Sequence, residues 1–497
     1  MIQNLRLRAL GMSSLPPELW QEVFTWIPQD TARTCLSVSK YFHGLALRVV
    51  FRNITIFFGA WESAQAKEEV YQADKREYDV LEDKRSSMSS AILHRISHDP
   101  SFAAIVRAVD VHAYKRDGAR GAFERGCLIE AIHCLHNLRS FAWHGVAPSP
   151  TPEVIEALAS TCTLLRHFSA PLRTLPKLPL EKLQTLWSIS YTWKWFYDTT
   201  RGQRSRLPDE HRDLKVHCER LRELQMPYTS PSHIPFDQLP MLTHLELLSI
   251  QTLDKLGPLL RKVPRLESLS IFCTKRQHDV LFDALGFLKS NLLNLHSLCL
   301  LSRQEGALES EHAQILADFL QGRKCLRRFR STFKFREGTH LSFLGAIASL
   351  RSLDTLHWDV LAEDLDQDFV RMLLQHLPPD MLALSIATYG GLKSVDALVD
   401  LWAHCPDLRF LYVRTWGSAD EPAERLLRGA KRLQVVGYNG KFHDVDLQDG
   451  QVRLSPAWSA RRVAFRCPSD FGPGCESAEW LMRGLRIRSE VEEEGQP

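Results

Sequence analysis

The stretch Leu242-Thr243-His244-Leu245-Glu246-Leu247 decides the fold, because its apolar positions, three and then two residues apart, recur along most of the chain. Toward the C-terminus the same spacing returns as Leu266/Leu269/Ile271, Leu295/Leu298/Leu300, Leu326/Phe329/Ser331, Leu353/Leu356/Trp358, Met381/Leu384/Ile386, Leu408/Leu411/Val413 and Leu433/Val436/Tyr438. Toward the N-terminus it is found as Leu221/Leu224/Met226, Leu183/Leu186/Ser188, Leu165/Phe168/Ala170, Leu138/Phe141/Trp143 and Val106/Val109/Val111. The period is about 27 residues, and its two irregular steps, 18 and 38 residues, are adjacent and together make two periods. The alternation that closes each triple predicts a short strand. Between triples, Phe123 to Leu135, Phe369 to Leu377 and Leu398 to Cys405 carry apolar residues at three- and four-residue spacing, which predicts helices. Pro378-Pro379 and Pro406 follow two of these, where proline ends a helix. One strand and one helix cannot cover their own apolar face, so neighbouring units stack, and the expected class is α/β.

A strand and a helix every 27 residues or so is similar to the leucine-rich-repeat family. The asparagine that usually follows that family's strand is largely missing, so the repeats are degenerate. The resemblance implies a horseshoe-shaped α/β solenoid over residues 99–445. The ladder would point inward and the intervening side chains would line the concave face. Those side chains are His144, His244, Glu246, Arg328, Arg330, Thr332, His357, Asp359, Tyr412 and Arg414. Arginine and tyrosine are favoured binding anchors. The expected target-binding patch is therefore Arg328, Arg330, His357, Asp359, Tyr412 and Arg414, with a basic bias suited to acidic or phosphorylated motifs. A second aromatic cluster, Trp187, Tyr191, Trp193, Trp195, Phe196 and Tyr197, precedes a polar run from Asp198 to Arg206 and reads as a local core under a loop.

Ahead of the repeats, residues 13–55 predict three short helices. Pro16 and Pro17 suit the first turn of one helix, along which Leu19, Val23 and Ile27 make a stripe with Phe24 beside it. Pro28 ends it, Asp30 is placed to cap a second helix carrying Cys35, Leu36 and Val38, and Ser39 to cap a third carrying Phe42, Leu45 and Val49. A bundle of about 40 residues rarely buries enough surface alone, which points to completion by another protein.

Leu15-Pro16-Pro17-Glu18-Leu19, Val23-Phe24, Ile27-Pro28, Asp30 and Val38-Ser39-Lys40-Tyr41-Phe42 resemble the F-box motif, in the form common among fungal proteins. The family's modules dock on the Skp adaptor, and through it on a cullin scaffold. By position, the resemblance implies adaptor-facing or bundle-closing roles for Leu15, Pro16, Leu19, Val23, Ile27 and Leu36. Thr31 and Thr34 stand where the family's second helix is usually apolar. The function implied is the substrate-recognition subunit of an SCF-type ubiquitin ligase, a non-catalytic receptor that holds a target protein on its repeats. Two alternatives share the architecture: a repeat scaffold with no ligase partner, and a receptor gated by a small molecule.

The remaining segments are a tail at 1–12, a charged linker at 56–98, and a C-terminal cap with an acidic tail at 446–497. In the linker, Ser86 to Ser90 breaks the helical pattern. In the cap, Val445 to Leu447, Val452 to Leu454 and Val463 to Phe465 read as strands, and Ala478 to Leu485 as a final helix shielding the open end of the solenoid. With a net charge of +3, neither nucleic acid nor membrane is indicated as the main partner. No apolar run reaches the roughly 18 residues of a membrane span, and no apolar region follows Arg6 and Arg8 as in a signal peptide. Eleven scattered cysteines fit a reducing compartment, cytoplasm or nucleus. Cys127, His133, Cys134 and His136 lack zinc-finger spacing, and Cys467 and Cys475 lack a second pair. Nucleotide-binding, nucleophile-elbow and zinc-protease motifs are missing, Asn439 with Gly437 and Gly440 reads as a turn, and no cofactor, metal or catalytic residue is expected.

Overall fold

The computed structural model describes residues 15–27, 29–66, 68–115, 118–171, 174–191, 217–228, 236–249, 253–302, 307–335, 340–360, 367–388, 399–415, 427, 429–448, 451–471, 474–475 and 477–483. The chain forms two compact units, Met1–Leu186 and Trp187–Pro497. Trp193, Trp195, Phe196, Tyr197, the Asp198 to Arg206 run and both termini lie outside the described residues.

The first unit opens with helices α1 (Pro17–Trp26), α2 (Gln29–Cys35) and α3 (Lys40–Val50), which close on Phe24, Leu45 and Ala46. Ser39 caps α3, its Oγ accepting the Phe42 N–H at 3.2 Å. Asp30 falls one residue inside α2, not at its cap.

Four parallel strands follow, side by side in chain order: β1 (Asn53–Phe58), β2 (Ala108–Tyr114), β3 (Ser140–Ala147) and β4 (His167–Ala170). The first of them was not expected. Phe51/Ile54/Ile56 has the repeat spacing, two periods before Val106/Val109/Val111, and Ile54 pairs with Val109. The boundary expected at 55 therefore falls inside a strand. Residues 56–98 are also more ordered than a linker, since a single helix spans Lys75–His98, straight through Ser86 to Ser90. The serines do not break it because their hydroxyls bond sideways. Ser89 Oγ accepts the Phe57 N–H at 2.7 Å, and Ser86 Oγ donates to Glu124 Oε1 at 2.5 Å. Ser86, Ser89, Leu93 and Ile96 make one buried stripe at helical spacing, and Lys115 Nζ stands 3.4 Å from Glu124 within the same contact.

The second unit contains β5 (Ser188–Tyr191), β6 (Glu223–Tyr228), β7 (His244–Ser249), β8 (Ser268–Cys273), β9 (Ser297–Ser302), β10 (Ala307–Leu308), β11 (Arg328–Ser331), β12 (Lys334–Phe335), β13 (Thr355–Val360), β14 (Ala383–Thr388), β15 (Phe410–Thr415), β16 (Val435–Tyr438), β17 (Lys441–Gln448) and β18 (Gln451–Leu454). Apart from β10 and β12, which pair with each other, these strands lie side by side in chain order, parallel up to β16 and antiparallel for the last two. Leu224, Leu245, Leu269, Leu298, Phe329, Leu356, Leu384, Leu411 and Val436, the middle members of nine triples, stand in register. All are buried. One triple was misassigned: Leu224 pairs with Ile189, so the rung at β5 is Leu186/Ile189/Tyr191 and not Leu183/Leu186/Ser188. Apolar residues three apart at 183, 186 and 189 let the pattern slip by one step. The helices Gln367–Leu374 and Val399–His404 occupy two of the expected inter-rung positions.

The end of the chain follows expectation at its turn and at the strands through Val445 to Leu447 and Val452 to Leu454, and departs from it beyond them. Asn439-Gly440, both at positive φ, turn β16 back into β17 as a two-residue hairpin. Val463 and Ala464 lie in a helix, Ala460–Ala464, and not in a strand. The final helix, Ser477–Met482, packs on β13 and β14, so it covers the sheet's face instead of shielding an open end.

One buried side chain sets a pH dependence. The His278 ring packs edge-on against Phe333 and its Nε2 stands 2.9 Å from Ser302 Oγ. Burial, with the neighbouring His312 charge, pushes its pKa down to about 4. Between pH 6.5 and 4 the unfolded chain takes up a proton that the folded chain refuses, so stability is full above that window and falls through it. Discounted for partial solvation, the loss from pH 7 to pH 5 is about 1 kcal/mol. Urea titrations at both pH values should show that difference and its disappearance in His278→Gln; an unchanged difference would show that His278 titrates normally.

Candidate functional site

Alternation along the strands places one row of side chains on the face opposite the ladder: Gln225, Glu246, Ser270, Cys299, Arg330, His357, Ser385 and Tyr412, each paired with the next across adjacent strands. Gly437 continues the row. A Cβ there would come within 2.5 Å of Tyr412 Cδ2 and 2.6 Å of the Phe442 ring, so only glycine lets those two rings stack with centroids 5.2 Å apart.

The face is not uniformly open. Gln225, Glu246 and Ser270 are partly exposed, whereas from Cys299 onward the row is buried. Arg330 is 1% exposed, His357 0%, Asp359 5% and Tyr412 2%. The expected patch is thus brought together as a cluster, but it is not a free surface. Arg328 stays half-buried and Arg414 lies beside Asp359. The reason is the C-terminal segment, whose Ala478, Leu481 and Met482 are buried in the same unit. Among the described residues the accessible part of the face carries Glu223, His244 and Glu246, with Arg328 half-buried farther along it.

Beneath the segment runs a chain of polar contacts. Ser385 Oγ stands 2.7 Å from His357 Nδ1, His357 Nε2 stands 3.0 Å from Asp359 Oδ1, and Arg414 Nη2 lies 3.7 Å from Asp359 Oδ2. Burial pushes the His357 pKa down despite Asp359. Burial would by itself raise the Asp359 carboxyl, but the His357 hydrogen bond and the charges of Arg414 and Arg330 outweigh it and hold the group below the usual carboxylate range. The consistent assignment is a neutral imidazole donating from Nε2 to the carboxylate and accepting the Ser385 hydroxyl at Nδ1. Serine, histidine and aspartate in line have the outline of an activated nucleophile. Ser385 is fully buried, however, and with the segment in place no substrate reaches it. The chain holds a buried charge. Burial also pushes Tyr412 up to about 12 and Arg466 down to about 10.

A second surface lies on the N-terminal bundle. Leu19 and Val23 on α1 are 50% and 42% exposed, Trp26 is 80% exposed, and Leu15, Val38 and Tyr41 are exposed with them. Pro16 is also exposed, whereas Ile27 and Leu36 pack against the Phe24–Leu45–Ala46 core. The six residues singled out in the sequence therefore divide into four outward-facing and two bundle-closing. Trp26, Val38 and Tyr41 join the outward group, and only their solvent exposure identifies them, since sequence cannot say which side of so small a bundle is left bare. Thr31 and Thr34 face solvent.

His133 and His136 are exposed, and Cys127 and Cys134 half-buried. Among the described residues no three His, Cys, Asp or Glu side chains form a metal-binding group, and no helix is long and apolar enough to cross a membrane.

No family model matches the chain, and no curated protein matches it. Among solved structures, the leucine-rich-repeat-containing protein LegL7 of Legionella pneumophila aligns with 70% of this chain and 92% of its own length, at 12% identity and a TM-score of 0.33. A Bacteroides fragilis protein aligns with 72% of this chain and 70% of its own, at 11% identity and a TM-score of 0.24. Likeness at this level assigns no function.

Proposed function

We propose that this chain is the target-recognition subunit of an SCF-type ubiquitin ligase, with an F-box on α1–α3 and leucine-rich-repeat-like units that hold the target. What carries the proposal is the line Leu15, Leu19, Val23 and Trp26, exposed on a bundle whose interior is already closed by Phe24 and Leu45. Large apolar side chains in such a row are what a docking surface looks like before its partner arrives. Each is worth about 1.5–3 kcal/mol when fully buried. Leu15, Leu19 and Val23 stand at positions where the sequence resembles an F-box, so the partner is the Skp adaptor and, through it, a cullin. The chain contributes no bond-making step. It raises the effective concentration of a target's lysines near the conjugating enzyme.

The test is binding of the purified chain to the Skp adaptor, beside Leu19→Asp, Val23→Asp. The unaltered chain should bind, and the variant should bind at least about 100-fold more weakly, as two apolar contacts at about 1.4 kcal/mol per factor of ten allow. Its melting temperature should hold, since both side chains are half exposed. Absence of binding by the unaltered chain would leave a repeat scaffold without a ligase partner.

A further inference from the structure

We infer that Ser477–Arg483 is an exchangeable occupant of the sheet face over β13 and β14, and that this face takes in its place a short helical peptide from another protein. This deepens the target-holding half of the proposed function and does not depend on the adaptor half.

The C-terminal segment has two halves of different chemistry. Its first half is a hydrophobic core: Tyr412, Phe442, Trp458 and Phe471 form a run of ring contacts with centroids 5.2 to 5.5 Å apart. Arg462 stacks 3.8 Å over Trp458 and grips Asp444 through both terminal nitrogens at 2.6 and 3.0 Å. This half is an anchor. The chain then passes Gly474, at φ +75°, where a side chain would collide with the Arg409 guanidinium.

The second half is a six-residue helix, too short to be stable by itself. Among the described residues no backbone hydrogen bond ties Ser477–Arg483 to the sheet. Leu481 and Met482 supply apolar contact, and two arginines receive the helix's carboxyl end. Arg330 Nη1 donates to the Arg483 carbonyl, and Arg466 Nη2 to the Met482 carbonyl. These are the last carbonyls of a helix, which need external donors whichever chain they belong to.

The closed arrangement also carries a cost. Nε and Nη2 of Arg330 and Nε of Arg466 are buried without a protein acceptor among the described residues. Buried donors left unpaired destabilise the state that contains them, and lifting the helix returns them to water. The face beneath is polar, with His357, Asp359 and Arg414 preorganised by their own contacts. Such a face is built for selective contact with a ligand that brings its own apolar residues and its own carbonyls. The partner it fits is a helical segment resembling Ala478-Glu479-Trp480-Leu481-Met482-Arg483, with its carboxyl end toward Arg330 and Arg466.

The experiment uses the full chain carrying Leu481→Asp, Met482→Asp, and a fluorescent synthetic peptide of residues 475–485. By anisotropy, the variant should bind the peptide at least tenfold more tightly than the unaltered chain, and adding Arg330→Ala should remove most of that gain. A folded variant that binds no better than the unaltered chain overturns the inference. Should the variant not fold, hydrogen exchange on the unaltered protein decides. The Leu481 and Met482 amides should exchange by local opening at least 100-fold faster than those of β13 and β14; exchange at the strands' rate makes the helix a fixed part of the core. Adaptor binding, measured on the same variant, should not change, so failure here and failure of the ligase proposal are separable.

Discussion

Replacing Trp358 with alanine should destabilise the second unit by about 3–5 kcal/mol, the range for truncating a large aromatic side chain in a packed interior. Trp358 is the third ladder residue of its rung and is fully buried. Its ring meets Phe343 at 5.1 Å and Phe335 and Phe369 at 5.9 Å between centroids. Those partners come from strand and helix segments on both sides of β13, so none can move into the vacated space without leaving its own contact. Trp358→Phe should cost less, because it keeps a ring in the cluster. Urea unfolding followed by intrinsic fluorescence checks both, with the second unit's other tryptophans as reporters. A loss below about 1 kcal/mol would mean that the neighbouring rings collapse into the cavity.

An effect of similar size is expected at Asp359, for a different reason. Alanine there removes the only carboxylate that the described contacts place against both His357 and Arg414. The His357 Nε2 donor then loses its acceptor inside a buried face, and one-sided removal from such a buried group costs about 3–5 kcal/mol. Replacing the group together is far milder: Asp359→Leu with His357→Leu and Arg414→Met should recover most of the loss, because apolar residues of similar volume need no compensation. A triple variant as unstable as the single one would show instead that shape, and not charge, governs this cluster.

Much of the fold was legible in the sequence. The triples at Leu242, Leu266, Leu295 and their fellows became parallel strands in register because each depends only on local alternation and on a neighbour of the same kind. Where local spacing was ambiguous, it misled. Leu183, Leu186 and Ile189 offer two equivalent frames, and only pairing of Ile189 with Leu224 chooses between them. Phe51/Ile54/Ile56 had the right spacing but lay inside a stretch already read as helical. The helix through Ser86 and Ser89 was hidden because serine reads as a breaker until its hydroxyl has a partner, and Glu124 and the Phe57 amide are far off in sequence.

The candidate surfaces divide in the same way. That Leu15, Leu19 and Val23 form a stripe follows from helical periodicity, and their exposure follows from the small size of a bundle with few places to bury them. Sequence also placed Arg330, His357, Asp359 and Tyr412 on the face opposite the ladder, which strand alternation requires. It could not show that this face is occupied. The bond from Arg330 to the Arg483 carbonyl joins residues 153 positions apart, and no periodicity links them. By itself, then, the sequence determined the repeating strands, their inward ladder and the apolar stripe of the N-terminal helices, since all three are set by neighbours within a few residues or one period. Only the tertiary structure decided which part of the sheet face stays open, because that depends on where a short, locally unremarkable C-terminal helix comes to rest.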